Sequence, residues 1–134
     1  MKTVIFAAAI ACATATSALA ETFKCNFSRG GGTSWISSEM YFKVDPAAKQ
    51  AWVQDGMSQR FEDGWYAAKL NKNNSKRYTV SWKFENFKNS QNQRATLLYK
   101  LTYQKSGGRT TIQMRPSGYD NSFNTGGTCQ KVSG

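Results

Sequence analysis

Apolar and polar residues alternate strictly through the second half of the chain. In RYTVSWKF (77–84), Tyr78, Val80, Trp82 and Phe84 fall on one face and Arg77, Thr79, Ser81 and Lys83 on the other. A period of two sends successive side chains to opposite sides of a pleated strand, so this run reads as half-buried β-structure. ATLLYKLTY (95–103) repeats the pattern with Ala95, Leu97, Tyr99, Leu101 and Tyr103 inward, and RTTIQMR (109–115) continues it with Thr110, Ile112 and Met114. KNSQNQ and SGG join the three runs. Connections that short predict an antiparallel three-stranded meander.

Upstream, TFKCNF places Phe23, Cys25 and Phe27 on the core side, and WISSEMYFKV predicts a longer strand of undefined phase. Asp55-Gly56 suits a two-residue hairpin turn, and DGWYAAKL, after a second Asp-Gly, reads as a further strand. Only DPAAKQ suggests a helical turn. Eight or nine short strands at this spacing predict an all-β fold. It is either a single antiparallel up-and-down barrel of lipocalin-like or calycin-like plan, or a β-sandwich of about eight strands. Closure would remove the exposed strand edges, but alternation alone does not separate the two architectures.

Residues 1–20 change the compartment. Lys2, a short apolar stretch and ALA before Glu21 have the form of a cleaved signal peptide, which leaves residues 21–134 as one domain, periplasmic or secreted. A lipoprotein reading would instead place a lipid on Cys12 and anchor the protein to a membrane. In an oxidising compartment, the remaining Cys25 and Cys129 predict one disulfide between the first and last strands. Asn26 and Asn73 stand in N-x-S form, relevant only to a eukaryotic secretory pathway.

Without the leader the charge is +9, from seventeen basic and eight acidic residues. Outside the cytoplasm that favours an anionic envelope component as partner, or a secreted protein, with any membrane contact peripheral. The meander would gather Lys83, Lys100 and Arg115 on its outer face, with Arg77 and Arg109 nearby. The aromatic residues of these strands face inward, so nucleic acid is not expected as a partner. There is no histidine, which removes Ser-His and Cys-His nucleophile systems and the commonest transition-metal ligand. No catalytic residue, cofactor or metal is expected, and RGGGTS (29–34) lacks the ending of a phosphate-binding loop. A monomer is expected.

Trp35, Trp52, Trp65, Tyr66, Tyr119 and Phe123 lie near predicted turns or strand ends, where a barrel mouth would be. In RPSGYDNSFNTGGTC (115–129), Pro116 ends a strand, and Gly118, Gly126 and Gly127 offer unusual backbone conformations. Ser117, Tyr119, Asp120, Asn121 and Phe123 form the candidate binding loop. The expectation is a clasp: Tyr119 and Phe123 turn inward over the barrel end and deliver Cys129 to Cys25.

The early Phe23-x-Cys25-x-Phe27, the Gly-rich turn before Trp35, the alternating strands and GYDNSF followed by GTC resemble small exported β-proteins of Gram-negative bacteria. That resemblance implies export and this fold. The disulfide-closed plan is also similar to periplasmic C-type lysozyme inhibitors, which implies inhibition of a secreted hydrolase as the alternative to ligand binding. Those inhibitors carry a Ser-Gly-x-x-Tyr loop, whereas here Tyr119 follows Gly118 directly.

Overall fold

Alternation along each run becomes one wall of a closed surface. The computed structural model describes residues 19–28, 35–88 and 91–133. It contains β1 (Glu21–Phe27), β2 (Glu39–Asp45), β3 (Gln50–Gln54), β4 (Tyr66–Asn73), β5 (Arg77–Lys88), β6 (Arg94–Gln104), β7 (Arg109–Pro116) and β8 (Phe123–Ser133). Each strand pairs antiparallel with the next, and β8 returns to β1, giving a closed up-and-down barrel rather than a sandwich. Closure leaves no unpaired edge. The leader, Cys12 and the RGGGTS segment lie outside the described residues.

The inward face is the one the alternation marks. Tyr78, Val80, Trp82 and Phe84 of β5, Leu97, Tyr99, Leu101 and Tyr103 of β6, and Thr110, Ile112 and Met114 of β7 are all buried. The phase of β2 is set by Met40, Phe42 and Val44, each at most 1% exposed. Rings meet across the lumen: Phe23 of β1 lies 6.1 Å from Tyr78 of β5, and Phe42 of β2 lies 5.7 Å from Tyr103 of β6. Side chains therefore fill the barrel at this level. Each large apolar side chain removed from water contributes about 1.5–3 kcal/mol. Arg, Lys, Thr and Gln occupy the outer positions of β5–β7, the reverse of a membrane-spanning barrel, whose outer band is apolar. No helix among the described residues is long and apolar enough to cross a membrane.

Cys25 and Cys129 stand directly opposite one another at the β1–β8 seam and are bonded, 104 residues apart in sequence. In the chain-entropy account, a loop of that length stabilises the fold by about 4.7 kcal/mol. Gly127 makes the seam possible by a different route: a Cβ there would sit 2.1 Å from the Asn26 carbonyl oxygen.

Three local expectations are corrected. Asp55-Gly56 does not close a two-residue hairpin; it opens an eleven-residue connection between β3 and β4 that contains a 3-10 turn, Ser58–Arg60. The cause is a reciprocal cap. The Ser58 N–H donates to Asp55 Oδ1 at 2.7 Å, and the Asp55 N–H donates to Ser58 Oγ at 2.9 Å. DPAAKQ is the β2–β3 hairpin turn rather than a helical turn, with the Ala48 N–H held by Asp45 Oδ1 and Lys49 at φ 54. Finally, β5 runs on past Phe84. A bulge with Asn86 at φ 57 absorbs one residue, so that Phe87 as well as Phe84 points inward.

Candidate functional site

Strand direction sorts the connections. Those after β1, β3, β5 and β7 (28–38, 55–65, 89–93 and 117–122) leave from one end, and the three shorter ones (46–49, 74–76 and 105–108) leave from the other. The loop-rich end is the mouth. Phe61, in the β3–β4 connection, stacks on Phe84 at 4.6 Å, and Trp35 meets Phe87 at 5.4 Å. The Tyr99 hydroxyl, rising from β6, donates to the Trp35 carbonyl at 2.7 Å. Burial raises the Tyr99 pKa well above the usual phenol value, and the nearby Asp55 carboxylate adds to this. Thus Trp35, Tyr66 and Phe61 cap the core, as aromatic residues at a barrel end are expected to. Trp52 departs from that expectation. It lies within β3, on the outer surface. Beneath the cap, Trp82 stacks on Tyr99 at 5.3 Å, and its buried indole N–H has no hydrogen-bond partner among the described residues.

The candidate loop is shorter than the sequence suggests, Ser117–Ser122, because Phe123 already begins β8. The clasp holds only in part. Phe123 packs against the core, whereas Tyr119 is 62% exposed at the loop tip. Gly118 takes φ 84 and turns the chain there, so the ring is carried outward with Asp120 and Asn121. Neither Gly126 nor Gly127 has a positive φ. Both lie inside β8, and the constraint on Gly127 is steric.

The basic residues divide into two groups. Leu98 on β6 is flanked by Lys83 of β5 and Arg115 of β7, with Lys100 two positions along and opposite Ser81. Lys69 of β4, absent from the expected set, lies on the other side of Ser81. Arg77 and Arg109 stand at the opposite ends of their strands. Arg77 is roughly 20 Å from Lys83 at the rise of an extended chain, so the five expected residues are not one patch. Glu85 pairs with Lys83 at 2.9 Å and raises its pKa through that hydrogen bond. The larger signal is one of distribution. From Tyr66 to Pro116 the chain carries eleven Lys and Arg residues and a single acid, Glu85. Strands β4–β7 and the turns between them therefore hold essentially the whole net charge.

The opposite wall is different. On β2 and β3, four strands around the barrel from β6 and β7, Lys43 places its ammonium 4.8 Å from the Trp52 ring and 4.7 Å from the Trp65 ring. Trp65 is thereby held against the outer surface. It forms one side of a groove of about 480 Å³, shared with Tyr41, Gln54, Gln59 and Glu39. Alternation signals the inward aromatics but carries no signal for this site. It depends on the register of β2, β3 and β4, which sets Tyr41 opposite Gln54 and Trp65 one residue before Tyr66, the partner of Val53.

Among the described residues, no group of three or more His, Cys, Asp or Glu is placed to hold a metal ion. No family model, curated protein or solved structure matches the chain.

Proposed function

We propose that this chain is a non-enzymatic exported protein that binds an anionic or amphipathic component of the cell envelope through the outer wall of β4–β7. The observation that carries the reading is the eleven-to-one segregation of charge onto those strands and the turns between them. Like charges on neighbouring outer positions cost stability, and Lys69, Lys100 and Arg115 have no acidic neighbour among their strand partners. An array of anionic groups turns that repulsion into attraction. Near an anionic surface each Lys or Arg contributes about 1 kcal/mol, so the three cations without an acidic neighbour supply roughly a hundredfold in affinity within a Debye length of about 8 Å.

The test is co-sedimentation with anionic and with neutral phospholipid vesicles at low and physiological salt, with a soluble acidic polysaccharide as competitor. Binding to anionic vesicles should survive physiological salt. Lys100→Glu with Arg115→Glu should weaken it about a hundredfold, while Lys49→Glu with Arg60→Glu, the same change in charge elsewhere, should leave it within about threefold. Equal losses from both pairs, or complete loss at physiological salt, would show net charge acting nonspecifically. A second reading, a plug-type inhibitor of a secreted hydrolase such as lysozyme, is favoured by the exposed Tyr119 on its Gly118 turn. Inhibition of lysozyme that Tyr119→Ala abolishes would select it.

A further inference from the structure

The geometry points to a second binding site on the wall opposite the basic face: the groove between Tyr41 and Trp65, which takes a pyranose unit of a glycan. Its volume, about 480 Å³, falls in the range of small-molecule sites. Two features decide the ligand class. The walls carry aromatic side chains from two elements, Tyr41 on β2 and Trp65 at the end of the β3–β4 connection, with Lys43 over one face of the Trp65 ring. Between and beside them, Gln54, Gln59 and Glu39 supply amide donors and carbonyl or carboxylate acceptors. A sugar ring has that composition, with C–H faces that pack on aromatic rings and a rim of hydroxyls that both donate and accept.

Other occupants fit less well. An apolar ligand would leave the amides without partners and much of itself in water. An extended peptide would need an unpaired strand edge for its main chain, and a closed barrel presents none. An anion would meet Glu39, and the ammonium beside that carboxylate, Lys24, already lies 3.8 Å from it. Lys43 does not serve as a ligand contact; its ammonium lies over the Trp52 and Trp65 rings. It acts as a positioning residue that holds the Trp65 wall upright before ligand arrives, so binding does not have to order that side chain.

The experiment is titration of the oxidised protein with cellotetraose, chitotetraose and mannotetraose, followed by amide and indole chemical shifts. At least one should perturb the Trp65 indole, Tyr41 and the Gln54 amide, with an affinity unchanged between low and high salt. Trp65→Ala should abolish the response, and Gln54→Ala, a surface change that leaves the core intact, should weaken it about tenfold. Lys43→Met should weaken it while leaving the set of shifted resonances the same. Absence of shifts with all three sugars at millimolar concentration overturns the proposal. So does a response that persists in both Trp65→Ala and Gln54→Ala, or one confined to β4–β7. Salt dependence separates the sites, because failure of the vesicle experiment leaves this groove untouched.

Discussion

Two adjacent glycines in β8 should respond oppositely to the same substitution. At Gly127 an added Cβ meets the Asn26 carbonyl oxygen at 2.1 Å, the Phe27 Cα at 2.9 Å and the Phe27 ring at 2.8 Å. Two of the three obstacles are backbone of the partner strand, so no rotamer change relieves them. Strands β1 and β8 would have to separate by roughly 1 Å, close to where Cys25–Cys129 pins them together. Overpacking of this kind costs about 1–3 kcal/mol, and with backbone on both sides the upper end applies. At Gly126 the nearest atom is the Thr110 carbonyl oxygen at 3.9 Å, which is ordinary contact, and φ is not positive. There, Ala should be neutral or should stabilise by about 0.4–1 kcal/mol through the unfolded chain. For a domain of this size 1 kcal/mol moves the midpoint by about 4 °C, so Gly127→Ala should melt roughly 12 °C below the parent, with Gly126→Ala at or slightly above it. Thermal unfolding by far-UV circular dichroism on oxidised protein reads both. Midpoints within about 2 °C of each other would refute the close approach of β1 and β8 at this rung.

Replacing Cys25 and Cys129 by Ala should remove about 4–5 kcal/mol in urea unfolding, and a midpoint unchanged from the parent would show that the reduced barrel is equally constrained. Ser58→Ala leaves the buried Asp55 N–H without its acceptor and should cost about 1–3 kcal/mol; Asp55→Ala should cost about 1 kcal/mol, and the double variant less than the sum. Additive losses would mean the two groups do not cap one another. Burial holds Tyr66, Tyr78, Tyr99 and Tyr103 above their usual pKa, aided at Tyr78 by its hydrogen bond to Glu21. Below about pH 10 these groups are neutral in both states, but above it the unfolded chain ionises more readily than the folded one. Stability should then fall with pH, by at most about 1.4 kcal/mol per unit from the deeply buried Tyr99 and less from the others, more shallowly in Tyr99→Phe, and a urea midpoint flat to about pH 11 would contradict this. Trp82→Phe deletes an unpartnered buried donor along with some packing area, so its stability should change by less than about 1 kcal/mol. A loss above about 3 kcal/mol would reveal a partner for that N–H.

How much of this is legible in the sequence depends on whether a feature is local. Alternation in β5, β6 and β7 gives the core directly, because each strand has one dry and one wet face and hairpins keep neighbours in register. The Asn86 bulge escapes such a reading because Phe87 lies three residues from Phe84, which breaks a period of two, and only a positive-φ residue between them restores it. Asp55-Gly56 misleads for a related reason. The dipeptide is compatible with a tight turn, but the serine at position 58 competes for the aspartate and wins a 3-10 turn instead. An inward Tyr119 follows from aromatic character alone, whereas the conformation of Gly118 decides its direction, and a glycine in a sequence signals only freedom.

The two candidate surfaces differ in the same way. An up-and-down barrel maps consecutive stretches of chain onto consecutive strands, so a run of sequence rich in one charge becomes a wall of that charge without further folding information. The eleven-to-one imbalance between Tyr66 and Pro116 is thus countable from residue order alone, and the count brings Lys69 in beside Lys83, Lys100 and Arg115. The Tyr41–Trp65 groove has no such shadow in the sequence. Its two aromatic walls are twenty-four residues apart: Tyr41 pairs with Gln54, and Trp65 immediately precedes Tyr66, the partner of Val53, so the register of β2, β3 and β4 aligns them while the connection adds Asp55, Gly56 and Gln59 to the lining. A charged wall is inherited from topology, whereas the groove needs the register of three strands and the path of one connection. The Ser58→Ala and Asp55→Ala variants therefore bear on that groove as well as on stability.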